Sequence, residues 1–248
     1  LIFYAFFIRE RVDKKDYFSF ALCGLFGVAI NQLFFFEGLN LTTPINAAII
    51  MTTNPILVIV ISAFLIGEKI TLQKIIGIFF GIVGAGTLIL NSGSISFDND
   101  FFIGNILVFI NATSYAIYLV LVKGLMTKYQ PLTVMFFVFL FGFFFVFPFG
   151  YHQLTSINID LFTNDIYLKV LFVVVCTTFI AYLFNAFALK TLSPSVVSIY
   201  IYLQPVLASV IAIIYNSDSI DYIKILSSFF IFTAVFLVSI PSKKVITN

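Results

Sequence analysis

Asn54-Pro55 and Gln204-Pro205 each set an amide side chain against a proline in the middle of a long apolar stretch. A proline inside a helix has no N–H to give and frees the carbonyl four residues earlier, here those of Met51 and Ile201. In hydrocarbon such a carbonyl must find a partner or line a polar cavity. One reading is a packing kink satisfied by a neighbouring helix. The other makes the two dipeptides symmetry-related hinges beside the path of a polar solute. The stretch 101–123, read as helix, adds a polar stripe of Gly104, Asn111, Tyr115 and Tyr118, spaced seven, four and three residues apart on one face. Asn46, Thr53 and Asn54 share a related face of 43–66, and Tyr200 and Gln204 stand one turn apart in 194–216. Polar groups facing lipid are costly, so these faces are expected to look inward, for interhelical hydrogen bonds or to line a cavity.

Two acids stand out. Glu37 sits within an apolar block, where a carboxylate is by default a candidate for proton coupling or for pairing a cationic solute. It also lies two residues from its helix end, which favours an interfacial carboxylate reaching water. Glu68, after Gly67, precedes the helix 72–91 and is expected to anchor that turn by meeting unpaired amides and the helix dipole. No catalytic constellation accompanies them. His152 is the sole histidine, placed in a connection, and Cys23 and Cys176 read as small packing residues inside apolar blocks. There is no His-Glu-x-x-His, no glycine-flanked serine motif and no nucleotide-binding loop. The expectation is therefore no enzyme, no metal and no cofactor. The net charge of +2 is spread through short connections and offers no nucleic-acid footprint.

The elements that position these residues follow from composition. Apolar residues make up 61% of the 248 and charged residues only 10%, with a mean hydropathy of +1.13. A soluble domain needs roughly 25% charged residues to cover its surface. The apolar blocks run 17–39, 43–66, 72–91, 101–123, 131–150, 166–190, 194–216 and 220–240. Each is long enough to span a hydrocarbon core about 30 Å thick. The chain reads as an all-α, polytopic membrane protein whose first partner is the lipid bilayer. Leu1 to Ile8 is apolar but too short to span, and is expected to be the end of a helix whose start is missing, an N-terminal truncation. Connections 9–16, 67–74, 123–130, 190–193 and the tail after 240 hold 11 of the 13 lysines and arginines, leaving Lys169 and Lys224 opposite. The positive-inside rule then places those connections and the C-terminus in the cytoplasm. Tryptophan is absent, so Tyr17, Tyr129, Tyr151, Tyr167 and Tyr215 are expected to serve as interfacial anchors.

Sliding the chain by 150 residues aligns 31–90 with 181–240 without a gap, pairing Pro44 with Pro194, Pro55 with Pro205 and Lys74 with Lys224. Thr71 and Asp221 meet as competent N-caps. An odd number of crossings between the copies inverts the second relative to the first, an arrangement characteristic of carriers. Gly77 and Gly81, continued by Gly84 and Ala85, form a small-residue face suited to close helix packing, with a homodimer contact as the alternative.

Gly38-Leu39-Asn40, Ala47-Ala48, Asn54-Pro55, Gly67-Glu68-Lys69 and the glycines of 77–86 together resemble the EamA domain of the drug/metabolite transporter superfamily. The second copy, Ala188-Leu189, Pro194, Gln204-Pro205 and Asp218, is similar to it, with Ser217-Asp218 replacing the glycine-glutamate pair. The resemblance implies an inverted repeat of two five-helix units, of which about 8.5 of 10 helices are present. Residues 1–91 would form the incomplete first unit, 101–240 the second and 241–248 a cytoplasmic tail. It further implies a secondary carrier of small metabolites, amino acid-like or drug-like compounds. Export by alternating access, with proton or ion coupling, from a bacterial inner membrane would fit. The alternatives are a non-transporting structural or receptor-like membrane protein, or an inactive fragment of a carrier.

Overall fold

The computed structural model describes residues 10–91, 101–157, 162–215 and 221–240. The stub at 1–8, Arg9, Asp218, Lys243, Lys244 and the 241–248 tail lie outside the described residues. Among the described residues, eight helices are long and apolar enough to cross a membrane. They are α1 (Lys14–Asn40), α2 (Pro44–Ile66), α3 (Leu72–Asn91), α4 (Phe102–Met126), α5 (Pro131–Ser156), α6 (Asn164–Thr191), α7 (Pro194–Ile214) and α8 (Tyr222–Ser239).

Local chemistry sets their ends. Thr43, Thr163, Ser193 and Asp221 each accept a hydrogen bond from the backbone N–H three residues on, at 3.1, 3.4, 3.4 and 2.7 Å. Pro44, Pro131 and Pro194 occupy first-turn positions, where a missing N–H costs nothing. Gly67, with φ of 65°, closes α2, and the Glu68 N–H returns to the Ser62 carbonyl at 3.1 Å. Helix α5 runs further than the apolar block that predicts it. His152 therefore lies on its last turns rather than in a connection, where Phe143, Phe147 and Tyr151 continue the ring contacts at four-residue spacing. Cys23 is buried as expected, but Cys176 is exposed.

The chain divides into two compact units, each drawing on both copies of the repeat. The first comprises Leu1–Leu33 and Leu121–Leu192. In it α5 packs against α1 and against the second half of α6. Gly24 and Gly142 permit that approach: a Cβ on Gly24 would stand 2.8 Å from the Gly142 nitrogen, and one on Gly142 would meet Val28. At one end Asp16 accepts from Lys128 Nζ at 2.9 Å and from the Tyr129 hydroxyl at 2.7 Å. Lys123 Nζ donates to the carbonyls of Leu189 and Leu192 at 2.7 and 2.9 Å, neutralising the C-terminus of α6.

The second unit comprises Phe34–Val120 and Ser193–Asn248. Its centre is the pair α3 and α8. Gly77 lies against Ala234 and Val238, and Gly84 against Ser227 and Ile231, so the two helices run antiparallel. Phe80 and Phe230, 150 residues apart, stack at 5.6 Å between them. Antiparallel mates meeting at equivalent residues are what an inverted repeat requires. The small-residue face of α3 is thus filled by α8 and by the Tyr202 ring, which lies on Gly81.

Candidate functional site

Both proline-bearing helices are broken. In α2 the helical run Pro44–Met51 (α2a) ends, and Asn54–Ile66 (α2b) begins with Pro55 in its first turn. In α7 the run Pro194–Ile199 (α7a) passes through a tighter turn, Tyr200–Tyr202, into Leu203–Ile214 (α7b). At the first break Thr52 and Thr53 bond three residues back, to Ile49 and Ile50. In that tightened turn the acceptor that Pro55 leaves empty is Thr52 rather than Met51. The Tyr202 hydroxyl supplies the missing bond, donating to the Thr52 carbonyl at 3.0 Å. Residues 52 and 202 are repeat mates, and so are Gln32 and Tyr182, which meet at 3.5 Å in the first unit. Tyr182 also donates to the Gly27 carbonyl at 3.1 Å, inside a π-helical stretch of α1, Leu25–Ile30. The π-helical stretch of α6, Val173–Ile180, falls at equivalent positions of the second copy.

The expected polar residues part company here. Asn54 is fully buried, and its Nδ2 donates to the Ala112 carbonyl on α4 at 3.0 Å. Its Oδ1 meets no donor among the described residues. Pro55 and Asn46 are buried as well, and half-buried Thr53 bonds the Ile50 carbonyl. On α4, Asn111 and Tyr118 are buried, and Tyr115 packs on the Tyr118 ring at 6.0 Å. Gly104 lets the backbone of Leu41 and Thr42 approach, beside a 2.6 Å bond from Thr42 Oγ1 to Asn105 Oδ1. Tyr200 and Gln204 are exposed, and Pro205 is half-buried, so the second copy does not bring them to the Asn54 node. Glu37 is exposed at the end of α1. Tyr202, Tyr182 and Gln32 were not singled out by sequence. The signal that could find them is the 150-residue offset taken as a contact rule, because each pair joins unlike residues that a search for identities passes over.

At the turn before α3 the bonds made are not the expected ones. The N-cap of α3 is Thr71, whose Oγ1 accepts from the Lys74 N–H at 3.3 Å. Glu68 Oε1 instead takes the Lys74 ammonium at 2.6 Å, and that ammonium also reaches the Lys69 carbonyl. A buried lysine needs such a partner more than a capped helix needs a second anion. Burial pushes the Glu68 carboxyl up, but Lys74 and the hydroxyls of Ser193 and Ser195 outweigh it and hold the group below its ordinary 4.5. The stabilisation is therefore fully present above pH 4.5 and lost as pH falls through the lower folded value. Melts in detergent are expected to lose stability below that pH, and less so for Glu68→Gln than for the native chain. Lys224, the mate of Lys74, is also buried and paired, with Asp221 at 3.1 Å.

The EamA-like transporter family matches residues 1–90 and 102–240. An uncharacterized transporter of Bacillus subtilis (strain 168), YyaM, is 24% identical over 83% of this chain and 68% of its own length. An uncharacterized transporter of Archaeoglobus fulgidus is 26% identical over 81% of this chain and 70% of its own. A solved crystal structure superposes with a TM-score of 0.75 over 92% of this chain and 77% of its own, at 18% identity, which shows a shared fold.

Proposed function

Because the chain belongs to the EamA-like transporter family, we propose that it is a secondary carrier of small organic solutes working by alternating access. The observation that carries the reading is an inequality between repeat mates in the second unit. Helix α2b packs on α7a, and Asn54, Val58 and Ser62 of the one and Ser195, Ser198 and Ile199 of the other are buried. The symmetry-equivalent pairing of α7b with α2a is not made in the same way. Gln204 and Ala208, mates of Asn54 and Val58, are exposed, and Ile45 and Ala48, mates of Ser195 and Ser198, are half-buried. Two chemically similar copies held in different arrangements can exchange them, and an exchange opens one end as it closes the other.

In this reading α2b and α7a close the end near Gly67 and Ser193, cytoplasmic by the lysine and arginine bias, as is the C-terminus. The breaks at Pro55 and Pro205 are the hinges. Asn46, Thr53, Asn54, Asn111, Tyr115, Tyr118, Tyr200 and Gln204 border the solute path. Neutral amides and phenols suit amino acid-like or drug-like metabolites, and export from a bacterial inner membrane is the proposed direction. The repeat units are proposed to run 1–91 and 101–240. The carrier performs no covalent chemistry. Glu37, exposed at a helix end, is the coupling candidate, and Glu37→Gln in vesicles under a pH gradient is expected to flatten the pH dependence of flux. An unaltered profile would leave it an interfacial carboxylate. The function itself is tested by reconstituting the chain and offering a labelled metabolite panel without nucleotide. Saturable counterflow of at least one compound is expected; its absence across the panel in a properly inserted protein would count against a carrier.

A further inference from the structure

Partway along α1 and α6 the first unit holds a polar cluster that the proposed hinges do not use. The Tyr182 hydroxyl donates its one proton to the Gly27 carbonyl at 3.1 Å and lies 3.5 Å from Asn31 Oδ1. Gln32 Nε2 donates to the same hydroxyl at 3.5 Å, the one bond that Gln32 makes among the described residues. Its Oε1 and second N–H are uncommitted there, on a side chain that is only half-buried. Phe139 of α5 sets its ring 5.2 Å from that of Tyr182, at 61°, and gives the cluster an apolar wall.

An uncommitted amide within a membrane span is costly against hydrocarbon and well placed against a polar guest. Gly27 lies in the π-helical stretch Leu25–Ile30, and such stretches recur at functional sites. The Gln32 bond is at the long limit for a hydrogen bond, so exchanging it for a guest loses little. The surroundings also select the guest. No Asp, Glu, Lys or Arg stands three or four residues from Gln32 or Tyr182, and α5 carries none from Pro131 to Tyr151. An ionised group would enter without a counter-charge, at a heavy desolvation cost. A neutral carboxamide fits instead: its N–H gives to Gln32 Oε1 while its carbonyl takes the second Gln32 N–H.

We propose that Gln32, oriented by Tyr182 and walled by Phe139, is a specificity-determining subsite for an uncharged, amide-like group of the solute. The proposal rests on the carrier reading and narrows its substrate class. Among amino acid-like and drug-like compounds, it selects those that present a neutral donor–acceptor pair beside an apolar or aromatic body.

Benzamide is the probe, with benzoate and benzylamine as its anionic and cationic counterparts at neutral pH. Each is titrated against the purified full chain in detergent by saturation-transfer NMR. The native chain is expected to bind benzamide about tenfold more tightly than either charged compound. Gln32→Met, of similar length but without the amide, is expected to weaken benzamide about tenfold, the scale of two net hydrogen bonds. Gln32→Glu is expected to reverse the order and favour benzylamine, which a merely structural glutamine would not do. Thr177→Val, whose hydroxyl bonds only within α6 at 2.8 Å, is expected to leave all three affinities unchanged. Should Gln32→Glu fail to accumulate, Gln32→Met alone decides. Benzamide held as tightly by Gln32→Met as by the native chain would overturn the subsite. So would equal binding of the three probes, no binding of benzamide to the native chain, or an unreversed order in folded Gln32→Glu. Failure of the carrier reading looks different: benzamide would bind through Gln32, yet reconstituted vesicles would show no saturable counterflow of any compound.

Discussion

Gly81→Val is expected to cost about 3 kcal/mol of stability, the upper part of the range for overpacking a tight site. A Cβ at Gly81 would fall onto the Tyr202 ring, which is fully buried and has no room to retreat. Moving that ring also withdraws its hydroxyl from the Thr52 carbonyl, leaving a backbone acceptor stranded at the break in α2. The same substitution at Gly86, where nothing lies within 4 Å, is expected to change stability by less than about 0.5 kcal/mol. Tyr202→Phe separates the two parts of the effect: it keeps the ring and loses only the bond, for about 1 to 2 kcal/mol. Unfolding in detergent, followed by loss of the monodisperse species with temperature, measures all three. Equal losses for Gly81→Val and Gly86→Val would mean that the fit between Gly81 and Tyr202 contributes nothing.

Pro55→Ala and Pro205→Ala are each expected to slow transport about tenfold, the effect of roughly 1.4 kcal/mol on a barrier, while membrane insertion stays intact. Alanine restores the N–H that proline lacks, so α2a and α2b can join into one continuous helix. A continuous α2 has no empty acceptor at Thr52 for Tyr202 to fill. The tie between the two breaks, and the freedom of each half to tilt against the other, would go together. The first copy is expected to suffer more, because Pro55 is buried and Pro205 only half so. Flux measured against the amount of inserted protein checks this. Normal flux in both variants would reduce the prolines to packing kinks.

The membrane spans and the inversion were legible because they rest on coarse signals. Twenty apolar residues are needed whatever they pack against, and an 11-to-2 lysine and arginine split does not depend on side-chain detail. The two basic residues on the poorer side are moreover both neutralised by nearby acids, Lys169 by Asp165 and Lys224 by Asp221. The glycine face was legible too, because few residue types allow helices so close. What stayed hidden was which polar residue meets which. Asn54 and Gln204 are near-equivalent in sequence, yet one is buried on Ala112 and the other exposed. Their difference is one of tertiary packing, which two near-equivalent local sequences do not specify. Glu68 was not legible as the partner of Lys74, since helix-dipole reasoning favours the nearest amides over a lysine six residues away. Cys176 and His152 show the same limit: an apolar block marks a span, not the direction each side chain takes or the turn at which the helix ends.

Cysteine accessibility at one pair of repeat mates tests the proposed exchange of conformations most directly. Val58 is fully buried in α2b, and its mate Ala208 is exposed in α7b. With Val58→Cys and Ala208→Cys examined singly in oriented vesicles, an impermeant maleimide should label Ala208→Cys readily from the side away from Gly67. It should label Val58→Cys slowly, and only from the Gly67 side. Labelling of both from one side, or of Val58→Cys at no detectable rate from either, would contradict two inverted copies that trade places.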